Sequence, residues 1–261
     1  MSNREFSIVS SLNTYNSNLT ELNATTAVHN GFIDHADWLA HVARYAIIMK
    51  YLKKPAVKHL RIIDVGCGRF PMLVFMWRNR VPLVGVKYVG LDLRAKEEWL
   101  NDKLPDAPSI QLFRTDIIED DLSFIEPGDI VVCTEVLEHV DKKHALTLME
   151  RLRKLTAPGG YMFLSSPNLG GSDSVADNHM ADDGTPREWT YDGKVKLLEK
   201  SGFTIESEIG TFIRMDNLPD DFFNEYTRDI KNKLPNSFFR VFAAAAFPRQ
   251  SNNAMFVCRT S

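Results

Sequence analysis

The amino-acid sequence predicts an α/β fold with a mostly parallel sheet, on three observations. Short, continuous apolar runs recur from residue 60 onwards, as expected for strands that are buried on both faces. Segments with the apolar spacing of amphipathic helices separate these runs. A glycine-rich turn closes the first run and leads into a helix that begins at Pro71. Strands that alternate with helices are joined by right-handed crossovers, so neighbouring strands run parallel.

The composition excludes several other classes of protein. The chain has 261 residues, 44% of them hydrophobic, and its 31 basic and 34 acidic side chains give a net charge of −3. A disordered chain would have fewer apolar residues and a larger net charge. Three widely spaced cysteines do not make a disulfide scaffold, and no apolar stretch approaches the roughly 20 residues of a membrane span. The first residues lack a signal-peptide pattern, so we expect a cytoplasmic protein without membrane insertion.

The N-terminal part is predicted to form a polar arm followed by one helix. Residues 1–30 are rich in serine, asparagine and threonine, and Asp34 is a candidate helix cap. Asp37, His41 and Arg44 share one face of this helix, which we expect to be solvated. The alternative is a lid in which His41 or Arg44 faces a substrate. The apolar stripe of the helix consists of Leu39, Val42, Ala43, Ala46 and Ile47.

Apolar runs and cap residues predict the elements of the rest of the chain. The helix between the fourth and fifth strands is capped by Asp141 and ends at residues 158–160. A later helix begins after Thr190 and ends before Gly202. We expect residues 214–250 to be less regular, with their phenylalanines in core and helix packing. The predicted strands are 60–65, 86–91, 110–113, 130–133, 161–164, 203–208 and 254–259.

Small and acidic residues follow the first two strands, at the edge where open parallel sheets bind ligands. Gly66 and Gly68 leave room for a ligand beside the backbone, and the next helix offers free N–H groups. Asp92, after the second strand, can accept hydrogen bonds from both ribose hydroxyls of a nucleoside. These features indicate an adenosine cofactor. A dinucleotide is disfavoured, because Pro71 stands where its fingerprint has a third glycine, so an NAD-dependent oxidoreductase is only an alternative.

The third predicted strand is also followed by an acidic residue. Asp116 can accept a hydrogen bond from an adenine amino group, and Ile117 can pack against the adenine ring. The alternative is a loop carboxylate that caps a turn. Taken by itself, Asp116 is more typical of that capping role.

Five motifs in a fixed order resemble the class I S-adenosylmethionine-dependent methyltransferases. They are DVGCG at 64–68, GLD at 90–92, TD at 115–116, DIVVCTEVLEH at 129–139 and LRKLTAPGGYMFL at 152–164. Each motif is weak alone, but the ordered set is a strong signal. The resemblance implies a Rossmann-like, doubly wound sheet of seven mostly parallel strands, with the last strand antiparallel. It implies a methyltransferase domain at 60–261, on which residues 1–59 pack as an arm and a helical extension.

The resemblance also implies a set of cofactor-binding residues. The turn after the first strand would surround the methionine end of S-adenosylmethionine, and the residues after the second and third strands would bind ribose and adenine. Glu135, just after the fourth strand, would lie near the methionine moiety and the transferred methyl group. The full cofactor-binding set is Asp64, Gly66, Cys67, Gly68, Asp92, Leu93, Asp116, Ile117 and Glu135.

Glu135, Glu138, His139 and His179 are the candidate catalytic and metal-binding residues. In-line methyl transfer needs alignment, and a hydroxyl acceptor must also lose a proton to a base or beside a metal ion. The set is similar to the Glu-x-x-Glu-His element of ubiquinone-type O-methyltransferases and to the metal-binding set of small-RNA 3′-terminal 2′-O-methyltransferases. It implies catalytic roles for Glu138, His139 and His179, and all four residues as ligands of Mg²⁺ or another divalent ion. Alternatively, Glu135 contacts the cofactor only, and Glu138 and His139 orient the next helix.

The long loop 168–189 gives the information about the methyl acceptor. It holds five acidic residues and His179 against a single basic residue, Arg187. Such a loop repels phosphates unless a metal ion neutralises it. We therefore expect O-methylation of a small or medium-sized molecule. The alternatives are a metal-dependent RNA 3′-terminal 2′-O-methyltransferase or other nucleic-acid methyltransferase and, in another class, an inactive cofactor-binding regulatory protein.

Overall fold

The computed structural model describes residues 36–52, 60–68, 71–78, 85–96, 109–172 and 175–260. The predicted arm and its cap Asp34 lie outside these residues. The α-helices are α1 (Ala36–Leu52), α2 (Pro71–Arg78), α3 (Ala145–Leu155), α4 (Tyr191–Lys200), α5 (Glu225–Lys233) and α6 (Asn236–Ala246). The strands are β1 (Arg61–Val65), β2 (Lys87–Asp92), β3 (Ser109–Arg114), β4 (Gly128–Thr134), β5 (Thr156–Pro167), β6 (Phe203–Phe212) and β7 (Asn253–Thr260).

The strands form a single seven-stranded sheet in the order β3-β2-β1-β4-β5-β7-β6. The neighbours from β3 through β5 are parallel, and β7 lies between β5 and β6, antiparallel to both. This confirms the predicted fold class, including the antiparallel last strand. The strand order reverses between β1 and β4, because β1 pairs with β2 on one side and with β4 on the other. The carboxyl ends of these strands meet at one edge of the sheet, where ligands bind in such folds.

Alternate strand residues supply the two sides of the core. Ile63 and Val131 pack with α3 and α4 on one face of the sheet, in the same cluster as Met149 and Leu198. Their neighbours Ile62 and Val132 belong to the cluster on the other face, with Ile48 of α1 and Met72 of α2. This follows from the two-residue period of a strand. The continuous apolar runs therefore reflect burial on both faces, as predicted.

The helix α1 buries a different face from the one predicted. Ala40, Arg44, Tyr45 and Ile48 are buried, whereas Ala46 of the predicted stripe is exposed. The helical period was read correctly, but the buried face is shifted by one residue. The expectation of a solvated polar face is wrong at Arg44, whose side chain is only 3% exposed, because the guanidinium is paired inside the protein.

Two predicted helix ends differ in their local contacts. Asp141 does not cap a helix, because its carboxylate accepts a hydrogen bond from Arg187 Nε at 2.6 Å and a short 3₁₀ turn precedes α3. α3 ends before the glycines at residues 158–160, because Thr156 already pairs with Gly128 in the sheet. The cap at Thr190 is confirmed: its hydroxyl accepts from the Gly193 N–H at 3.1 Å. Glycine-rich sequence alone therefore placed the end of α3 too late.

The segment that was predicted to be irregular contains α5 and α6. Phe239 is fully buried in a small separate cluster, and Phe222 and Phe247 pack against it, as expected for packing residues. Phe238 and Phe242 depart from that expectation, with 39% and 51% exposure. Of the helices in the described part of the chain, none combines the length and the apolar character that crossing a membrane requires.

Candidate active site

A cavity of about 1100 Å³ opens at the carboxyl-terminal edge of the sheet. Asp92, the last residue of β2, and Asp116, after β3, line one part of the cavity, which we call the β2 side. Glu135, Glu138 and His179 line the other part, which we call the β4 side. The motifs read from the sequence therefore meet in one cavity.

The glycine turn after β1 forms the floor between the two sides. Gly66 has a φ of +71°, and its N–H donates to the Leu91 carbonyl at 2.8 Å. A Cβ at this position would lie 2.4 Å from Val136 Cγ2, closer than side-chain atoms approach each other. A glycine is therefore required here both by the backbone conformation and by the close contact with the segment after β4.

Asp92 is oriented by the backbone around it. Its Oδ2 accepts from the Gly68 N–H at 2.9 Å, and its Oδ1 accepts from the Arg94 N–H at 2.7 Å. Each carboxylate oxygen can accept a second hydrogen bond. The carboxylate thus has a fixed direction at the cavity wall and retains acceptor capacity for a ligand.

Asp116 has both of the features that the sequence left as alternatives. Its Oδ1 accepts from the Ile118 N–H at 2.8 Å, so the side chain does cap a turn. Asp116 and Ile117 also line the cavity. The turn is held by Asp120, whose Oδ2 accepts from the Asp116 N–H at 2.8 Å. Capping the turn therefore leaves Asp116 at the ligand surface.

Two residues of the expected cofactor set lie behind the cavity wall. Asp64 is 4% exposed and accepts a hydrogen bond from the Tyr88 hydroxyl. Burial raises the pKa of Asp64 to about 7, and Asp92 adds to the rise while the Tyr88 hydrogen bond opposes it. Cys67 is buried, with its backbone N–H donating to the Leu91 carbonyl at 3.2 Å. Leu93, by contrast, lines the cavity and is 60% exposed.

Glu135 is the most heavily bonded carboxylate of the β4 side. Its backbone has a positive φ of +58°, rare for a residue with a side chain, and its N–H donates to the Ser165 carbonyl at 2.9 Å. Asn253 donates to both carboxylate oxygens at 2.8 and 3.0 Å, and Ser165 Oγ donates at 3.0 Å. Burial by itself would raise the pKa of Glu135, but Arg44 and these hydrogen bonds hold it below its usual value.

Arg44 of α1 is the cation that faces Glu135. Its Nη1 lies 3.3 Å from Glu135 Oε1, and its Nη2 donates to His41 Nδ1 at 2.8 Å. Arg44 Nε is buried and has no hydrogen-bond partner among the residues that the structure describes. Sequence reasoning assigned this residue to a solvated face and gave a lid in which His41 or Arg44 faces a substrate as the alternative. The signal was the spacing of His41 and Arg44, which places them on one helix face.

Glu138, His139 and His179 form a compact group on the β4 side. One ligand atom from each residue lies within 4.8 Å of the others. Glu138 is 1% exposed and its Oε2 has no partner among the described residues. Burial, and then the charge of Glu135, raise the pKa of Glu138 well above its usual value. Glu135 itself lies outside this group.

The two histidines of the group are held by their neighbours. His179 Nδ1 lies 2.8 Å from Glu188 Oε1, so the carboxylate accepts the Nδ1–H and Nε2 keeps its lone pair in the neutral ring. The ring centroids of His139 and His179 lie 5.0 Å apart. Burial, and then His179, lower the pKa of His139, which favours its neutral form. Two imidazoles beside a buried carboxyl group are a donor set that suits a divalent metal ion.

Lys194 of α4 is a residue that sequence reasoning did not single out. Its side chain is fully buried, and Nζ donates to the carbonyls of Ser166 and Pro167 at 2.7 and 3.0 Å. Burial lowers the pKa of Lys194 to about 7, although the nearby Glu135, Glu138 and Glu188 oppose the change. The available signal was the helical spacing that puts this lysine on the apolar face with Leu197 and Leu198.

In the loop after β5, the structure describes residues 168–172 and 175–189. Asn168 pairs with Trp189 at its base, and Met180 pairs with Pro186. The Arg187 N–H donates to the His179 carbonyl at 2.8 Å, while its side chain is paired with Asp141. The loop thereby brings His179 to the residues that follow β4.

Comparison with known proteins gives the family. A family model described as a methyltransferase domain matches residues 35–208. A ubiquinone biosynthesis O-methyltransferase of Paraburkholderia xenovorans (strain LB400) is 27% identical over 209 residues, 76% of this chain and 77% of that protein. A protein of the same name from Xanthomonas campestris pv. campestris (strain B100) is 32% identical over 116 residues, 43% of this chain and 45% of that protein.

Solved structures show the same fold. The 1,6-didemethyltoxoflavin-N1-methyltransferase of Burkholderia thailandensis, solved with 1,6-didemethyltoxoflavin and S-adenosylhomocysteine, has a TM-score of 0.56 at 15% identity and covers 100% of this chain and 91% of its own. A TehB-like methyltransferase from Corynebacterium glutamicum has a TM-score of 0.51 at 13% identity, covering 90% and 99%. With the glycine turn and Asp92 in one cavity, the family match shows that this chain belongs to the methyltransferase-domain family and is a class I S-adenosylmethionine-dependent methyltransferase.

Proposed function

We propose that this enzyme transfers the methyl group of S-adenosylmethionine to a hydroxyl oxygen of a small molecule. The observation that carries the proposal is the group of Glu138, His139 and His179, which shares one cavity with Asp92. Such a group suits an acceptor that must lose a proton as it is methylated. The curated relatives described above carry the name O-methyltransferase, which supports oxygen as the acceptor atom.

The cofactor is proposed to lie along the β2 side with its methionine end toward β4. Asp92 would accept hydrogen bonds from the ribose hydroxyls, and Asp116 and Ile117 would contact the adenine. Gly66 and Gly68 leave the floor free of side chains, where the methionine end would pass.

Glu138, His139 and His179 are the proposed ligands of a divalent metal ion. The unpaired, buried Oε2 of Glu138 and the clustering of the three ligand atoms within 4.8 Å fit such an ion. A divalent ion, when bound, polarises an acceptor hydroxyl and lowers its pKa. Glu188 orients His179 by accepting its Nδ1–H, a common arrangement behind metal-binding histidines. Glu135 was also expected as a ligand, but its hydrogen bonds to Asn253 and Ser165 favour an anchoring role.

The charged residues of the loop 168–189 favour a small acceptor over a nucleic acid. Arg187 is the single basic residue of the loop 168–189, and its side chain is committed to Asp141 at 2.6 Å. Nucleic-acid binding relies on basic side chains that neutralise phosphates. We therefore propose that the loop encloses an acceptor without phosphate groups.

The proposal is tested by methyl transfer from labelled S-adenosylmethionine to a panel of small phenols and the matching anilines, with and without chelator. We expect labelled O-methyl products, activity that falls at least tenfold after chelation, and recovery on addition of Mg²⁺ or Mn²⁺. Glu138→Gln should reduce activity to a similar extent, whereas Glu150→Gln, at an exposed position of α3, should not. Labelled nitrogen products would contradict O-methylation. Full activity in both the chelated enzyme and Glu138→Gln would contradict the metal site.

A further inference from the structure

Every histidine that the structure describes lines the cavity, and one of them has no part in the proposed metal group or its surroundings. His139, His144 and His179 lie after β4 or in the long loop, whereas His41 comes from α1. We propose that His41 is a specificity residue that donates a hydrogen bond from Nε2 to an oxygen atom of the methyl acceptor, and that Arg44 is the positioning residue that fixes this donor. The inference rests on the proposed O-methyltransferase function.

The contact between Arg44 and His41 determines which ring nitrogen carries the proton. Arg44 Nη2 lies 2.8 Å from His41 Nδ1. A guanidinium has only donors and stays charged, so Nδ1 must be the acceptor and the proton must lie on Nε2. A doubly protonated ring would set two donors against each other. Burial, and then the charge of Arg44, lower the pKa of His41 to about 3 although Glu135 opposes them, so the ring is neutral.

This tautomer excludes one role for His41 and leaves another. The lone pair of Nδ1 is used by Arg44, and Nε2 carries a hydrogen, so the ring has no free position at which to accept the proton of the acceptor hydroxyl. The Nε2–H has no partner in the described part of the chain. His41 is therefore a donor in the wall of the cavity, and the ligand that it recognises must offer an acceptor atom.

The donor is held rigidly by a series of contacts from different parts of the fold. Arg44 is 3% exposed and pairs with Glu135, which in turn accepts hydrogen bonds from Asn253 of β7 and Ser165 of β5. The same guanidinium thus joins His41 to the carboxylate just after β4. Three residues further along the chain, Glu138 begins the proposed metal group. His41 consequently lies on the β4 side, where the acceptor is proposed to bind.

The chemistry of this donor defines the part of the ligand that it fits. A neutral N–H donor pairs with a hydroxyl, carbonyl or ether oxygen without needing a countercharge. An acceptor molecule with no such oxygen would leave the N–H unpaired on binding, and this typically lowers affinity by about tenfold or more. The enzyme should therefore prefer acceptors that carry a second oxygen near the methylated hydroxyl.

The tautomer can be measured without knowledge of the acceptor. In the full chain labelled with ¹⁵N-histidine, the His41 signals, assigned by their loss in His41→Phe, should show the Nε2–H tautomer unchanged between pH 5 and pH 9. Arg44→Met removes the donor to Nδ1, so the ring of His41 should no longer be held in the Nε2–H tautomer. An Nδ1–H tautomer, or titration of His41 near its ordinary pKa of about 6.5, would overturn the proposal.

The role in specificity is measured with catechol, 2-methoxyphenol and phenol as probe acceptors. We expect His41→Phe to raise KM about tenfold for the two probes with a second oxygen, with little change in kcat and in the Kd of S-adenosylhomocysteine. His41→Gln keeps an N–H donor and should recover part of the loss. Wild-type enzyme that methylates no probe would contradict the proposed function, and this inference with it. An active wild type with an unaffected His41→Phe would overturn the role of His41 alone.

Discussion

The two sides of the cavity are built from contacts of very different range. On the β2 side, Asp92 accepts from the N–H of Arg94, and Asp116 accepts from that of Ile118, each two residues further along the chain. On the β4 side, the carboxylate of Glu135 is held by Asn253, 118 residues away. The β2 side thus depends mainly on local turns, with one longer-range hydrogen bond from the Gly68 N–H to Asp92, whereas the β4 side exists only when the whole fold is assembled.

Because of this difference, the two sides are not equally sensitive to changes elsewhere in the chain. Local turns keep their geometry when distant parts of the chain change, which suits a cofactor shared by a whole family. The β4 side takes Arg44 from α1, Lys194 from α4 and His179 from a loop, so changes in any of these elements alter it. We therefore propose that the β2 side determines the cofactor and the β4 side determines the acceptor.

The largest effect is expected from a change at Asp92, the residue of the β2 side that is proposed to bind the ribose of the cofactor. Asp92→Ala should raise the Kd of S-adenosylhomocysteine about 100-fold, because hydrogen bonds from the ribose to a carboxylate are lost. Isothermal titration calorimetry measures this Kd. Asp121→Ala is the matched control, since Asp121 also caps a local turn, with Ser123, but does not line the cavity. Equal Kd values for Asp92→Ala and the wild type would show that the ribose assignment is wrong.

An intermediate effect is expected from breaking the long-range anchor of the β4 side. Arg44→Met leaves the Glu135 carboxylate without its cation and should lower the free energy of unfolding by about 2 kcal/mol. Urea denaturation measures the change. Adding Glu135→Gln should cost less in the Arg44→Met background than in the wild type, because the charge that needed Arg44 is gone. Strictly additive losses would mean that the two residues do not act as a pair.

The smallest effect concerns Asp64, behind the β2 side. The folded protein raises the pKa of Asp64 to about 7, so it binds this proton more tightly than the unfolded chain does. The resulting stability is fully present below about pH 4 and is lost as the pH rises through about 7. Asp64→Asn resembles the protonated form, so its free energy of unfolding should match that of the wild type at pH 4 and exceed it at pH 8.

Urea denaturation at the two pH values tests this difference. Asp129→Asn serves as the control, because Asp129 accepts a hydrogen bond from the Arg61 N–H elsewhere in the sheet. A stability gain of Asp64→Asn that is the same at pH 4 and pH 8 would contradict a proton held by Asp64.

The range of these contacts also explains what the sequence could predict. The alternation of strands and helices, the glycine turn and the acidic residues at the ends of the second and third strands follow from periodicity and from short motifs, and the structure brings Gly66, Asp92 and Asp116 into one cavity as expected. Glu138, His139 and His179, which the resemblance grouped with Glu135, also lie close together in the structure, whereas Glu135 lies outside this group.

The residues that were missed or misread share a different property. Arg44 was assigned to a solvated face, and Lys194 was not singled out, because a charged side chain on a helix is ordinarily exposed. What buries them is a set of partners distant in the chain: Glu135 for Arg44, and the carbonyls of Ser166 and Pro167 for Lys194. Such partners can be identified only after β4, β5 and the helices have been placed in space.

The ion pair between Arg44 and Glu135 has a consequence for any shortened or recombined form of the enzyme. A fragment that begins at β1 would retain all seven strands and the glycine turn, yet would lack the partner of Glu135 and the His41 donor. Exchanging α1 between relatives would conversely transplant both groups in one piece while the β2 side stayed intact. Helix α1 can therefore be exchanged as one segment to change which acceptors this enzyme uses.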